Sequence, residues 1–186
     1  VCVPTPLGDH QEPDLSFVVG SGAAIGRTLR PGQLIILEST TYPGTTRDDF
    51  VPAIVAAAKA AGRSGTIGTD VFIAYSPERE DPGRRDFNTR TTPKLVGGLD
   101  KKSTQLAAAT YRKGLEHVVE VSSAEVAESA KLLENIFRAV NIAMVNEMKV
   151  VLTAMGIDIW EVIAAASTKP FGYMPFHPGP GLGGHC

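Results

Sequence analysis

Apolar and polar positions follow two rhythms along this chain, and the change between them divides it. Up to about residue 122, short apolar runs alternate with amphipathic stretches. Residues 1–3 read as the tail of a strand, and Pro4-Thr5-Pro6 as the loop that leaves it. Residues 16–29 are apolar at helical spacing, with Asp14 or Ser16 placed to cap the first turn. Residues 33–38 (QLIILE) form a compact apolar run, the mark of a buried strand. Residues 45–61 predict an Ala-rich helix, with Pro52 in its first turns, where a missing N–H costs least. A strand at 70–75 follows, then a polar loop over 76–93. A strand at 94–97, a helix at 101–115 and a last strand at 117–121 complete the series. Strand and helix in alternation predict an α/β fold with a parallel sheet covered by helices.

From residue 123 to 155 nothing interrupts a helix. Leu133, Phe137, Val140, Met144, Met148, Val151 and Met155 recur close to a 3.6-residue period. Ile136, Ala143, Val145, Val150 and Leu152 widen the apolar face. About 30 residues at 1.5 Å each make a rod roughly 45 Å long, longer than an ordinary globular helix. So broad an apolar surface predicts burial on two sides, against the rest of the fold and against another element or subunit. Gly156 ends the helix and Asp158 caps a short one over 159–166. Residues 168–186 are dense in Pro and Gly. The expected organisation is one unit over 1–122 and a second over 123–186.

Composition narrows the function classes. A formal net charge of −2 supplies no attraction for nucleic acid or an anionic membrane. No apolar run reaches the roughly 20 residues that span a bilayer, and residues 1–4 lack the features of a signal peptide. The two cysteines, Cys2 and Cys186, are expected as free thiols in a cytoplasmic protein. Both ends of the chain read as cuts within a longer one. Gly20, Gly22 and Gly26 imitate a dinucleotide fingerprint, but their spacing is G-x-G-x-x-x-G, one residue too long. They are expected instead to let a helix pack closely on the sheet.

Four segments carry candidate chemistry. In residues 178–186 (PGPGLGGHC) a glycine-dense loop exposes N–H groups that can bind an anion or a developing oxyanion, and it ends on a thiol placed to act as a nucleophile. By composition alone the same run also fits a linker. Lys131 and Asn135 share one face of the long helix, an ammonium and an amide able to bind a hydroxyl and the oxyanion formed from it; pairing of Lys131 with Glu128 or Glu134 is the plain alternative. Glu78 and Arg79 leave the end of a strand, where ligand crevices lie in open α/β sheets, so Glu78 is a candidate base; seven charged residues in 78–86 also fit an exposed loop. Residues 38–46 (ESTTYPGTT) offer hydroxyls at another strand end, together with an N-cap from Thr45 or Thr46. The four histidines lack metal-ligand spacing; His177, His185 and Cys186 would want a fourth ligand, and no metal is expected.

In order and spacing, VCVPTP, LESTTYPGTT, SPEREDPG, the K-x-x-x-N of AKLLENIFRAVNIAMVNE, and PGPGLGGHC resemble the UDP-glucose/GDP-mannose dehydrogenase family over essentially the whole chain. The resemblance implies the latter part of a Rossmann-like NAD domain, then a long central helix and the start of an all-helical dimerisation domain. It implies that NAD lies against Pro4, Thr5, Ser39 and Thr40. Cys186 becomes the nucleophile, Lys131 and Asn135 the sugar and oxyanion ligands, and Glu78 the aid to hydrolysis. Arg79, Tyr173, His177, Gly181 and Gly183 become contacts to a UDP-sugar, and the long helix, 123–155, the core of a homodimer. Some members carry a second glutamate four residues after the first; here that place holds Pro82, with Glu80 and Asp81 nearest. The loop wording is most similar to UDP-N-acetylglucosamine 6-dehydrogenases, with UDP-glucose and UDP-N-acetylmannosamine 6-dehydrogenases as alternatives. The expected activity is a four-electron oxidation of the sugar's C6 alcohol to the uronate through a cysteine thiohemiacetal and thioester, with the 186 residues alone inactive. Two rival readings are a β-hydroxyacid dehydrogenase, which needs no cysteine, and a non-catalytic dimerisation module.

Overall fold

The computed structural model describes residues 1–79 and 88–181. It forms two compact units, Val1–Leu132 and Leu133–Cys186. In the first, strands β1 (Gln33–Leu37), β2 (Val71–Tyr75), β3 (Lys94–Gly98) and β4 (Val118–Glu120) make one sheet in the order β1-β2-β3-β4. Helices α1 (Ser16–Arg27), α2 (Val51–Ala60) and α3 (Lys101–Tyr111) cover it. The predicted helix over 45–61 opens instead with a π-helical turn, Thr46–Phe50, before α2.

Strand periodicity sorts the side chains. Ile35, Leu37, Val71, Ile73 and Tyr75 point to one face and pack with Val18 of α1, Phe50, and Ile54 and Ala58 of α2. Leu34, Ile36, Ala74 and Val96 join the cluster on the other face with Ala107 of α3. Period-two alternation is what lets a sheet bury both sides under helices.

The sheet departs from the expected parallel arrangement at one seam. β1 pairs with β2 in parallel, and β3 with β4 in parallel, but β2 and β3 are antiparallel, Ala74 facing Gly98 and Tyr75 facing Gly97. The reason lies in the connections. Parallel neighbours need a crossover, which α2 supplies between β1 and β2 and α3 between β3 and β4. Between β2 and β3 the sequence offers only the polar loop, so the chain turns back.

The small residues of α1 pack against α2 rather than the sheet. A Cβ on Gly26 would stand 2.3 Å from the main-chain oxygen of Ile54 and 2.9 Å from Ala57 Cβ. The glycine therefore sets the distance between the two helices. Val1–Val3 forms no assigned strand, yet Val1 N donates to Ile36 O at 2.6 Å and Glu38 N to Val1 O at 2.9 Å along β1.

α4 (Ala124–Ala154) runs from the first unit into the second. Ala124 and Ala127 belong to the first unit's core. Gly156, at φ +74°, lies just beyond the helix end, and Asp158 Oδ1 accepts from Trp160 N at 3.0 Å to start α5 (Ile159–Ser167). No helix among the described residues is long and apolar enough to cross a membrane.

Gly26→Ala is expected to destabilise the full-length protein by about 1–3 kcal/mol through overpacking at a rigid backbone contact. Gly20→Ala, on the same helix with open space at its Cβ position, is expected to be neutral or stabilising by up to about 1 kcal/mol. Urea unfolding of both variants checks the contrast, and equal losses would contradict it.

Candidate active site

Parallel β1 and β2 end at the same edge of the sheet, so the residues that leave them converge. Glu38, Ser39 and Thr40 follow β1; Ser76, Pro77, Glu78 and Arg79 follow β2. The antiparallel seam adds a partner: extending its register past Tyr75–Gly97 sets Lys94, the first residue of β3, opposite Glu78. Ser76 Oγ donates to Leu95 O at 2.6 Å and Arg79 Nη1 to Pro93 O at 2.8 Å, fastening the departing loop to β3.

Lys94 is buried, and its ammonium donates to Glu38 Oε2 at 2.9 Å while lying 3.6 Å from Glu78 Oε2. The Tyr111 hydroxyl of α3 donates to the other Glu38 oxygen at 2.6 Å. Burial, and then the bond to Glu38, push the Tyr111 hydroxyl well above the ordinary tyrosine range, so it remains a donor. Lys131 reaches the same edge from α4: it is buried and donates to Glu78 O at 2.5 Å.

The residues expected to border a cofactor come together as well. Thr5 Oγ1 donates to Thr40 O at 2.8 Å. Ser39 Oγ accepts from Val3 N and donates to Val3 O, each at 2.8 Å. Ser39 is thus a buried brace between the loops, while Thr40 remains partly accessible. Beside them lies an open cavity of about 270 Å³ lined by Cys2, Val3, Glu38, Ser39, Thr40 and Glu78. Its size suits one end of a dinucleotide rather than the whole molecule, and its lining of hydroxyls and carboxylates suits ribose hydroxyls. Pro4 is exposed beside this brace.

Glu128 removes two alternatives that the sequence left open. It does not pair with Lys131; its fully buried carboxylate accepts from Gly44 N at 2.6 Å, Thr46 N at 2.9 Å and Thr46 Oγ1 at 2.7 Å. Neither Thr45 nor Thr46 caps the turn that starts at Thr46. Thr45 Oγ1 is spent on Tyr42 O at 2.7 Å, and the free N–H groups are met by Glu128 from more than 80 residues away. A helix N-terminus favours a negative charge, which compensates part of the cost of burying it.

In the second unit, Asn135 is partly buried on α4, one turn on from Lys131. The segment after α5 lies along that unit's helices. Phe176 meets Phe137 edge-on at 5.6 Å, His177 stacks on Trp160 at 5.8 Å, and Gly179 N donates to Asn146 Oδ1 at 3.0 Å. Tyr173 and Gly181 are exposed. Gly183, His185 and Cys186 lie outside the described residues, as do Glu80, Asp81 and Pro82. Cys2 is a free, exposed thiol. Sequence reasoning passed over Glu38, Lys94, Tyr111 and the true partner of Glu128. Charged residues bounding the apolar runs 33–38 and 94–97, and a glutamate three residues before Lys131, were the available signals.

Residues 1–115 match the NAD binding domain of the UDP-glucose/GDP-mannose dehydrogenase family, and residues 125–186 match its central domain. The chain is 40% identical to a UDP-N-acetyl-D-glucosamine 6-dehydrogenase of Pseudomonas aeruginosa, covering 100% of this chain and 43% of that protein. It is 38% identical to a UDP-N-acetyl-D-mannosamine dehydrogenase of Yersinia pestis, covering 100% and 44%. Among solved structures, a UDP-D-ManNAc dehydrogenase from Pyrococcus horikoshii superposes with a TM-score of 0.84 at 35% identity, over 100% of this chain and 42% of that one. The chain thus spans less than half the length of these relatives.

Glu128 titrates in a way that can be tested. Burial raises its carboxyl above the ordinary 4.5, against the pull of the Thr46 and Gly44 donors. A carboxyl raised by folding contributes stability below its unfolded value and loses it as pH rises through the folded one. Glu128→Gln, whose amide turns an NH2 toward one of the N–H donors, is expected to cost about 1–3 kcal/mol. That deficit should be largest near pH 4, shrink as pH rises, and then level off. Urea unfolding of both proteins across pH 4–8 measures it, and a deficit that grows with pH would refute the assignment.

Proposed function

Because this chain belongs to the UDP-glucose/GDP-mannose dehydrogenase family, we propose that the full-length protein oxidises the C6 alcohol of a UDP-sugar to the uronate in two NAD-dependent steps. The observation that carries this reading is the meeting of Lys131, Glu78 and the Thr5–Thr40 brace at one edge of the sheet, beside the cavity lined by Ser39 and Thr40. NAD, when bound, supplies the hydride acceptor, once for each oxidation. Pro4, Thr5, Ser39 and Thr40 would hold it at the sheet edge.

The residues divide the remaining work. Lys131 and Asn135 bind the C6 hydroxyl and stabilise the oxyanion formed from it; one such donor is worth roughly 3–4 kcal/mol in the transition state. The Cys186 thiolate captures the aldehyde as a thiohemiacetal, and the second oxidation converts it to a thioester. Covalent capture keeps the aldehyde in place between the two oxidations. Glu78 accepts a proton from the water that hydrolyses the thioester. Arg79, Tyr173, His177, Gly181 and Gly183 contact the UDP-sugar.

The first substrate proposed is UDP-N-acetylglucosamine, on the loop wording and the 40% identity to a dehydrogenase named for it. UDP-N-acetylmannosamine is the close second, with 38% identity to a relative so named. We also propose a homodimer built on α4. Leu133, Phe137, Val140, Met144, Met148 and Val151 are exposed along it, with Met155 just past its end, and a continuous apolar row of this kind marks an association surface. A cytoplasmic location fits the expectation of free thiols.

Two NADH per uronate are expected from the full-length protein with a panel of UDP-sugars, the 2-acetamido sugars turning over fastest. Cys186→Ser should abolish uronate formation, whereas a β-hydroxyacid dehydrogenase would be indifferent to it and release one NADH per turnover. Val140→Glu combined with Met144→Glu should shift sedimentation from dimer toward monomer; an unchanged sedimentation coefficient would reject α4 as the interface.

A further inference from the structure

Two carboxylates share one buried ammonium at the edge of the sheet. Lys94 Nζ stands 2.9 Å from Glu38 and 3.6 Å from Glu78, and Glu38 is itself held from its other side by Tyr111. The lysine ring contact, 5.3 Å from Nζ to the Tyr111 centroid, limits where the ammonium can go. Its own amide donates to His117 O at 2.9 Å, so the base of the side chain is fixed in the sheet. The side chain of Lys94 is 10% exposed, that of Glu38 24% and that of Glu78 54%. Glu38 therefore belongs to the wall, whereas Glu78 belongs to the cavity.

We propose that Lys94 is a positioning residue for Glu78, with Glu38 competing for the same ammonium. The inference rests on the reading that Glu78 assists thioester hydrolysis. In that step the water oxygen attacks the thioester carbonyl carbon and Glu78 takes a proton from the water. The C–S bond then breaks, and Cys186 leaves as thiolate while the uronate forms. A carboxylate takes that proton only if it starts ionised and faces the cavity. Lys94 favours the ionised form and holds it at the edge, while Glu38, the nearer of the two carboxylates, divides the lysine's charge.

Other charged and polar groups also lie around Lys94 and Glu78 among the described residues. The Arg79 amide donates to Glu78 Oε1 at 2.7 Å while its guanidinium donates to Pro93 O, and Lys131 donates to the Glu78 main-chain oxygen. Cys2 lines the cavity, Tyr111 faces Glu38, and Arg90 pairs with Glu116 next to His117. The antiparallel seam is what makes the arrangement possible, because a parallel β3 would carry Lys94 to the opposite edge.

The test uses the full-length protein with UDP-N-acetylglucosamine and NAD, following NADH by stopped flow and in the steady state from pH 5 to 9. Lys94→Met should retain the rapid NADH burst and slow the steady phase about tenfold. Its acid limb should move up by about one pH unit, the low end of the shift that a neighbouring opposite charge produces. Lys94→Arg should restore the limb. Glu38→Gln should move it the other way, to lower pH, because Lys94 then serves Glu78 alone. A Lys94 that only supports the fold would lower stability in the methionine variant and leave both limbs in place, which overturns the proposal. Glu78→Gln separates the two levels. Loss of the steady phase there, with unmoved limbs in the Lys94 and Glu38 variants, rejects the positioning role alone. An unimpaired steady phase in Glu78→Gln removes the hydrolytic reading and the positioning role together.

Discussion

The buried carboxylate of Glu128 is the constraint on which the arrangement turns. It sits on the first turns of α4 and is gripped by three donors from the turn that follows β1. None of those donors carries a formal charge. Burying an ion without a counter-ion is tolerable only when its lone pairs are filled with good geometry, and here two of the donors are N–H groups at the start of a helical turn and the third is the Thr46 hydroxyl. Each side satisfies the other. In consequence α4 begins at a fixed height and rotation relative to the sheet edge, and Lys131, one turn further along, arrives beside Glu78.

The antiparallel seam does comparable work for the opposite wall. With a crossover helix after β2, the sheet would have been fully parallel, and the start of β3 would lie away from the ends of β1 and β2. The polar connection turns the chain back, so one edge gathers residues from β1, β2, β3 and α4. Two anions, a cation and a phenol then share a small space, each buried to a different depth. The charges are tolerated because Lys94 is flanked by oxygen acceptors and stacked near an aromatic face.

Much of this architecture was legible in the order of residues. Element types were readable because each short strand is a dense apolar run and α4 keeps one period throughout. The Asp158 cap and the Gly156 stop were readable from local chemistry alone. The direction of β3 was not, although the missing crossover helix was visible in the polar loop. Thr46 looked like a cap because its type permits it; the actual cap lies more than 80 residues on, and no local pattern announces a partner at that distance. For the same reason a Glu128–Lys131 pair stood as an alternative, since helical spacing makes that bond easy to imagine. Glu78, Lys131, Thr5 and Thr40 were singled out through motif order, and the structure brings them to one edge. Glu38 and Lys94 were passed over because a charged residue at the end of an apolar run ordinarily marks where the strand meets water.

The pairing of residues 1–3 with β1 has a consequence beyond the site. On the side of β1 away from β2, Val1 bonds Ile36 and Glu38, and Val3 is locked onto Ser39. An outer strand with vacant N–H and C=O groups is a template for adhesion between molecules. Residues 1–3 therefore cover main-chain groups of β1 as well as shaping a wall, and breaking those bonds would bare the groups to any other backbone that came near.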